Sequence, residues 1–347
     1  MLHSFPRRLL LLLALVAYLP ALQAQQKRLT MEDAFLNRDL QPGNLRQLTW
    51  IPGSKDEYSY LRTVGGQDEL VRGAAGQPAT AVVSLGELSQ ALQAAGAPTV
   101  KAAAFPAITW RSPQAFLVTR LNKVYRVDAA TKQATALFGY DAAAENVEMD
   151  PTKTRVAYTK DQNLYLSLAG RENEAVTQEP NAAIVNGQAA HRSEFGISKG
   201  TFWSPTGQKL AYYRMDQTMV TDYPLVNVSA TPTQEKAIKY PMAGDKSHEV
   251  TVGVYDLSTR KTVFLQTGEP KEQYLTNISW SPDEKSIYVA VLNRGQSQMK
   301  LNQYDASTGA FVKTLFEEKD EKTFVEPLHE LQFVPGRPDQ FLWRSQR

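Results

Sequence analysis

The sequence predicts an all-β chain built from repeated short-strand units, and three observations carry the prediction. Short apolar and aromatic stretches recur between turn clusters, at 58–61, 115–119, 124–127, 156–158, 164–168, 252–257, 287–292 and 341–343. The punctuation between them also repeats. Trp50-Ile51-Pro52-Gly53, Trp110-Arg111-Ser112-Pro113, Met149-Asp150-Pro151, Trp203-Ser204-Pro205, Trp280-Ser281-Pro282-Asp283 and Phe333-Val334-Pro335-Gly336 each read as a large apolar residue, a proline turn and a new strand. A second turn recurs in Val127-Asp128-Ala129-Ala130-Thr131, Tyr255-Asp256-Leu257-Ser258-Thr259 and Tyr304-Asp305-Ala306-Ser307-Thr308, each a strand running into a hairpin. The motif prolines lie 61, 38, 54, 77 and 53 residues apart. Periods of roughly 40 to 50 residues, with several short strands in each, mark propeller blades. The expected fold is therefore a β-propeller with one short helical insertion. A chain of 347 residues, 42% hydrophobic, exceeds the size at which one core stops growing, which also favours a multi-blade architecture.

Residues 1–24 read as a secretory signal: Arg7 and Arg8 start it, an apolar run from Leu9 to Val16 follows, and Ala21-Leu22-Gln23-Ala24 offers a cleavage end. The apolar run is too short to span a membrane. Residues 25–347 then form the propeller domain of an exported protein. Without Arg7 and Arg8 the 38 basic side chains fall level with the 36 acidic ones, so no nucleic-acid or anionic-membrane partner is implied. With no cysteine, an exported chain has no disulfide framework and must be held by packing.

Thr30 and Asp33 suit a capping box, with Asp in place of the usual Glu or Gln, ahead of a short apolar face of Met31, Ala34 and Phe35. Leu85, Leu88, Leu92 and Ala95 fall at helical spacing with Gly96 as the stop, which predicts the inserted helix. The longest interval between motif prolines contains Asp216 to His248, with Tyr223-Pro224 and Tyr240-Pro241, and reads as an insertion projecting from a blade. The chain ends on a strand at 341–343 that would leave an unpaired edge, from which a truncated chain or a partner is expected.

The candidate site lies just upstream of Trp203. Glu194 stands among His191, Arg192 and Phe195, a carboxylate in a basic and aromatic setting that could receive a cation. Read from the residues alone, a lone Glu beside Arg192 is usually a surface ion pair. Gly196-Ile197-Ser198-Lys199-Gly200 matches the G-x-S-x-G nucleophile elbow, but an elbow needs a helix after the serine, and here a strand into a proline turn follows. His3, His191, His248 and His329 show no metal-ligand spacing, so neither metal nor cofactor is expected; His248 and His329 read as structural. Tyr213, Tyr223 and Tyr240 are candidates for a substrate entrance, with core packing the commoner fate of strand aromatics.

His191-Arg192-Ser193-Glu194-Phe195-Gly196-Ile197, Phe202-Trp203-Ser204-Pro205, Tyr213-Arg214-Met215-Asp216-Gln217 and Tyr240-Pro241-Met242-Ala243-Gly244 resemble the N-terminal propeller of the dipeptidyl peptidase IV family of the prolyl oligopeptidase clan, and its prolyl tripeptidyl peptidase branch in particular. The resemblance is dense after residue 185 and weak between about 62 and 145. It implies an eight-bladed propeller, here incomplete at its C-terminal side, that covers an α/β-hydrolase domain absent from this chain. It further implies a secreted serine exopeptidase, periplasmic or cell-surface, that releases Xaa-Xaa-Pro tripeptides or Xaa-Pro dipeptides from free N-termini. The implied partners are those peptides, the hydrolase domain and a second copy of the chain. By position, Glu194 takes the role of the glutamate that clamps the substrate's α-ammonium. His191 and Arg192 support it, and Arg120 is a weak candidate for a substrate carbonyl because the 116–126 segment is short. Dipeptidyl members carry two adjacent glutamates, whereas Ser193 precedes Glu194 here, which fits the tripeptidyl type better. The reading from another class is a non-catalytic periplasmic binding propeller.

Overall fold

The computed structural model describes residues 30–36, 45–99 and 104–345. The expected signal at 1–24 lies outside them. The chain divides into two compact units, 1–46 and 47–347. The described part of the first is residues 30–36, which hold helix α1 (Met31–Phe35), and residues 45–46 at the boundary, where strand β1 (Arg46–Trp50) begins. The Asp33 N–H donates to the Thr30 hydroxyl (3.0 Å) and the Thr30 N–H to the Asp33 carboxylate (3.4 Å), so Asp completes the capping box. Met31 and Phe35 of the expected apolar face are exposed.

The second unit is a succession of antiparallel sheets. The first joins β1 (Arg46–Trp50), β2 (Glu57–Val64), β3 (Gln67–Ala74) and β4 (Thr80–Ser84); the second β5 (Ile108–Ser112), β6 (Ala115–Arg120), β7 (Lys123–Asp128) and β8 (Ala134–Gly139); the third β9 (Glu145–Met149), β10 (Arg155–Lys160), β11 (Asn163–Leu168) and β12 (Arg171–Ala175). The fourth holds β13 (Ile184–Asn186), β14 (Thr201–Trp203), β15 (Lys209–Asp216), β18 (Glu249–Asp256) and β19 (Lys261–Phe264). Between β15 and β18 rises a separate hairpin, β16 (Asp222–Asn227) with β17 (Gln234–Lys239), which is the predicted insertion. The fifth sheet joins β20 (Tyr274–Trp280), β21 (Ser286–Leu292), β22 (Gln298–Asp305) and β23 (Phe311–Lys319), and β24 (Gln332–Val334) pairs with β25 (Arg337–Leu342) in a two-stranded sixth.

Each proline motif sits at the turn from a sheet's first strand to its second, so the repeat seen in the sequence is the blade repeat. The Asp128, Asp256 and Asp305 turns join third strands to fourth. In each, the aspartate carboxylate accepts the N–H groups two and three residues on, at 2.8 to 3.1 Å. Helix α2 (Leu85–Ala94) follows the first sheet, capped by Ser84 and Glu87, with Leu88 and Leu92 buried.

Side chains alternate across a strand, and here both faces of the middle strands are buried. Phe116 and Val118 of β6 pack toward the first sheet and α2, while Leu117 packs toward the third. In β15, Leu210 and Tyr212 face the third sheet while Ala211 and Tyr213 face the fifth. In β21, Ile287 and Val289 face the fourth while Tyr288, Ala290 and Leu292 face the sixth. The apolar core is thus a series of layers between successive sheets, which is how a propeller accommodates a chain too long for one core.

Candidate functional site

The innermost strand of the fourth sheet is split. β13 pairs with Arg214–Asp216 of β15 and β14 with residues 210–212 of the same strand, and residues 187–200 leave the sheet between them. The base of this loop is clasped at one residue. The Gly187 N–H donates to the Tyr213 carbonyl (2.8 Å) and the Tyr213 N–H to the Gly200 carbonyl (3.0 Å). The two legs pass so closely that a Cβ on Gly200 would lie 2.2 Å from the Gln188 backbone. Glycine at 200 is required by that approach.

At the head of the loop, His191, Arg192, Ser193, Phe195 and Gly196 all have φ between 52° and 74°, whereas Glu194 is extended at φ −76°, ψ 172°. Such a run of left-handed residues costs roughly 1–2 kcal/mol at each non-glycine position and persists only where surroundings impose it. The surroundings are visible. His191 is buried against the rings of His248 (5.1 Å between centroids), Tyr274 (5.1 Å) and Tyr213 (6.4 Å). The Leu275 N–H, on edge strand β20, donates to His191 Nε2 (3.2 Å), and the buried Tyr213 hydroxyl donates to the Leu275 carbonyl (2.7 Å). Because Nε2 accepts, the proton of the neutral ring sits on Nδ1, which donates to His248 Nε2 at 3.1 Å. Burial, with the charges of His248 and Arg294 adding to it, holds the His191 imidazole down at about 3. Phe195 packs on Tyr274 at 4.8 Å, and a Cβ on Gly196 would lie 2.2 Å from the Leu328 carbonyl oxygen, in the segment leaving the fifth sheet.

Between these anchors Arg192, Ser193 and Glu194 are exposed. Arg192 does not pair with Glu194. Its guanidinium lies 4.3 Å from the Tyr240 ring centre and donates to the Lys239 carbonyl, tying the loop to the end of the β16–β17 hairpin. The Glu194 carboxylate has no hydrogen-bond or ion-pair partner among the described residues. Its backbone is fixed: the N–H donates to the His191 carbonyl and the carbonyl accepts from Ile197 N–H. A rigid turn thus presents one carboxylate to solvent.

The other candidates separate. Tyr213 is core, while Tyr223 and Tyr240 pair on the exposed insertion at 5.7 Å. Ser198 and His329 line a cleft of about 200 Å³, yet no hydrogen bond joins them, and the chain runs from Ser198 into β14 rather than a helix. The G-x-S-x-G match is accounted for by the close packing of its two glycines. Arg120 ends β6, two sheets earlier, and takes part in interactions of its own. Strand alternation puts the β6–β7 turn at the same end of the sheets as the hairpin insertion. His248, which the sequence offered only as a structural residue, and Tyr274, on which it was silent, prove to be the supports of the Glu194 loop. The loop motif itself was legible, but its contacts with β20 join residues more than 80 positions apart. Among the described residues no cluster of metal-ligating side chains occurs.

A chain of successive antiparallel sheets, mostly four-stranded, with a carboxylate-bearing loop leaving an innermost strand, is a β-propeller. The family model described as the dipeptidyl peptidase IV N-terminal region matches residues 114–347. The chain belongs to the dipeptidyl peptidase IV family and corresponds to its N-terminal region. Dipeptidyl-aminopeptidase B of Aspergillus niger is 26% identical over 269 residues, covering 67% of this chain and 30% of the relative. A probable dipeptidyl-aminopeptidase B of Neurospora crassa is 27% identical over 241 residues, covering 61% and 26%. The solved structure of a putative dipeptidyl aminopeptidase IV from Bacteroides ovatus is 38% identical with a TM-score of 0.78, over 88% of this chain and 41% of that one. Porphyromonas gingivalis dipeptidyl peptidase 4 shares the fold at 18% identity and a TM-score of 0.66, over 88% and 46%. The chain therefore spans less than half the length of each of these proteins.

Proposed function

We propose that this propeller is the substrate-recognition part of an exported serine exopeptidase that releases Xaa-Xaa-Pro tripeptides, or Xaa-Pro dipeptides, from free peptide N-termini. In this reading the hydrolysis belongs to an α/β-hydrolase domain outside this chain, and Glu194 receives the α-ammonium of the substrate. The observation that carries it is the Glu194 turn, a carboxylate without a partner among the described residues on a backbone held rigid from both sides. A cation brought to it under a covering domain would meet a partly desolvated charge, worth far more than an exposed ion pair.

A clamp at Glu194 would give an exopeptidase its ruler. If the ammonium is fixed on a rigid loop, the peptide bond reaching a nucleophile lies a set number of residues away, and internal segments, which have no ammonium, are not held. Ser193 in place of a second glutamate leaves one carboxylate at the turn, which favours the longer tripeptide product. Export is supported by the pattern of residues 1–24.

The test is Glu194→Gln in the longer protein that carries both parts. Catalytic efficiency on a free N-terminal peptide is expected to fall by an amount on the order of 2–5 kcal/mol, the range for truncating one partner of a buried charge pair. An N-acetylated peptide, already a poor substrate, is expected to change little. Equal efficiency of wild type and variant on the free peptide would remove Glu194 from the role.

A further inference from the structure

We infer that the buried His191–His248 imidazole pair is the positioning device for Glu194, fixing the left-handed turn in the one arrangement that lets the carboxylate close on an ammonium. The inference rests on the role given to Glu194 above and adds the residues that make that role possible.

The turn has no local reason to exist. Four of its residues are non-glycine and left-handed. Within the turn the exposed stretch from Arg192 to Glu194 has three backbone bonds, Ser193 N–H to Ala190, Glu194 N–H to His191 and Ile197 N–H to Glu194, with the Arg192 guanidinium tied outward to the Lys239 carbonyl and the Tyr240 ring. It hangs from His191 on one side and from Phe195 and Gly196 on the other. Phe195 makes an apolar contact, which tolerates sliding. His191 makes two directional bonds, and one of them reads the backbone of β20 at Leu275, so it sets the register between the loop and the fifth sheet. His248 stands just before β18 and supplies the acceptor that fixes the ring's tautomer.

The pair works only while His191 is neutral, since an imidazolium has no lone pair for the Leu275 N–H. The site keeps it so. The charged groups that act on the two rings are cations: Arg294, which also donates to the Tyr274 hydroxyl and lies over that ring at 5.5 Å, acts on both, and Arg192 acts on His248. Tyr213 and Tyr274 close the remaining sides, with Glu330 acting on Tyr213. Neither imidazole has a carboxylate hydrogen-bonded to it among the described residues.

The experiment compares wild type, Glu194→Gln, His191→Phe, His191→Gln and His248→Gln in the full chain. Each is titrated by NMR with the peptide Ala-Ala-Pro-Ala and with its N-acetyl form, and the affinity ratio of free to acetylated peptide is read. His191→Phe keeps the ring volume and removes the acceptor, so its ratio is expected to fall about tenfold or more, as small misplacements of a binding group do. His191→Gln can still offer an oxygen to Leu275 and should recover most of the ratio. A purely structural role would lower thermal stability and leave the ratio alone, so a folded His191→Phe with the wild-type ratio overturns the inference. If His191→Phe does not fold, His248→Gln and the imidazole nitrogen shifts of wild type decide. An Nε2-protonated or cationic His191 at pH 6 would also overturn it. A wild-type ratio near one, or a Glu194→Gln ratio equal to wild type, would instead sink the role of Glu194 itself and this inference with it. A collapsed ratio in Glu194→Gln beside an intact one in His191→Phe would sink the positioning role alone.

Discussion

His191 carries the most consequence for its size. Burial holds its imidazole at about 3 against an ordinary value of 6.5, and His248 is lowered for the same reason. Between those values the unfolded chain binds a proton that the folded chain refuses, so ν for the unfolded state exceeds ν for the native state and stability rises with pH. The stabilisation is complete above pH 6.5 and is lost progressively as pH falls from there toward 3. Urea titrations at pH 7 and pH 5 should differ by an amount on the order of 1 kcal/mol per pH unit from His191 alone. His191→Gln should flatten that slope, and a slope equal to wild type would show that other groups carry it.

Among elements, the 187–200 loop depends on glycine where its legs cross. Gly200→Ala places a methyl group within 2.2 Å of the Gln188 backbone, where neither leg can yield without breaking a bond to Tyr213. We expect a loss of about 1–3 kcal/mol in global stability, the usual range for overpacking. The Glu194 response to free N-termini should weaken as well. Equilibrium unfolding against wild type checks the first, and peptide titration the second. The hairpin turns behave in the opposite way. At Asp128 and Asp305, bonds from the turn N–H groups hold the carboxylates below their usual range, and each turn is complete within a few residues. Such local chemistry is why Asp-x-Ser-Thr and proline turns could be placed from sequence. The loop's close approach could not be, because Gln188 and Gly200 meet only after Tyr213 has joined them.

Across the whole molecule, stability comes from layers between sheets and from polar ties at their rims. Asp150 is fully buried in the proline turn of the third sheet. It accepts from Thr154 N–H (2.7 Å), Arg155 N–H (2.8 Å) and the Arg155 guanidinium (3.3 Å), and the guanidinium reaches on to the Gly207 carbonyl of the fourth sheet (2.9 Å). Asp150→Asn keeps the shape and removes the charge, leaving Arg155 with carbonyl partners alone. A loss of about 2–4 kcal/mol in chemical denaturation is expected, near the range for a broken buried pair. A loss below about 0.5 kcal/mol would place Asp150 with ordinary surface charges. Glu284 makes a comparable tie one sheet further on, where its carboxylate accepts from the Thr206 hydroxyl at 2.9 Å.

The sequence by itself determined the blade repeat, the capping box at Thr30 and Asp33, the inserted helix with its Gly96 stop, the projecting hairpin and the family motif around Glu194. All of these are written in short-range signals: period-two burial, proline and aspartate turns, and helical spacing with a glycine stop. Tertiary structure decided what those signals could not reach. It assigned Arg192 to the Tyr240 hairpin rather than to Glu194, drew His248 and Tyr274 around His191, and explained the G-x-S-x-G glycines by close packing. These contacts join positions tens of residues apart, and their energies come from burial and directional bonds that exist only once neighbouring sheets have stacked.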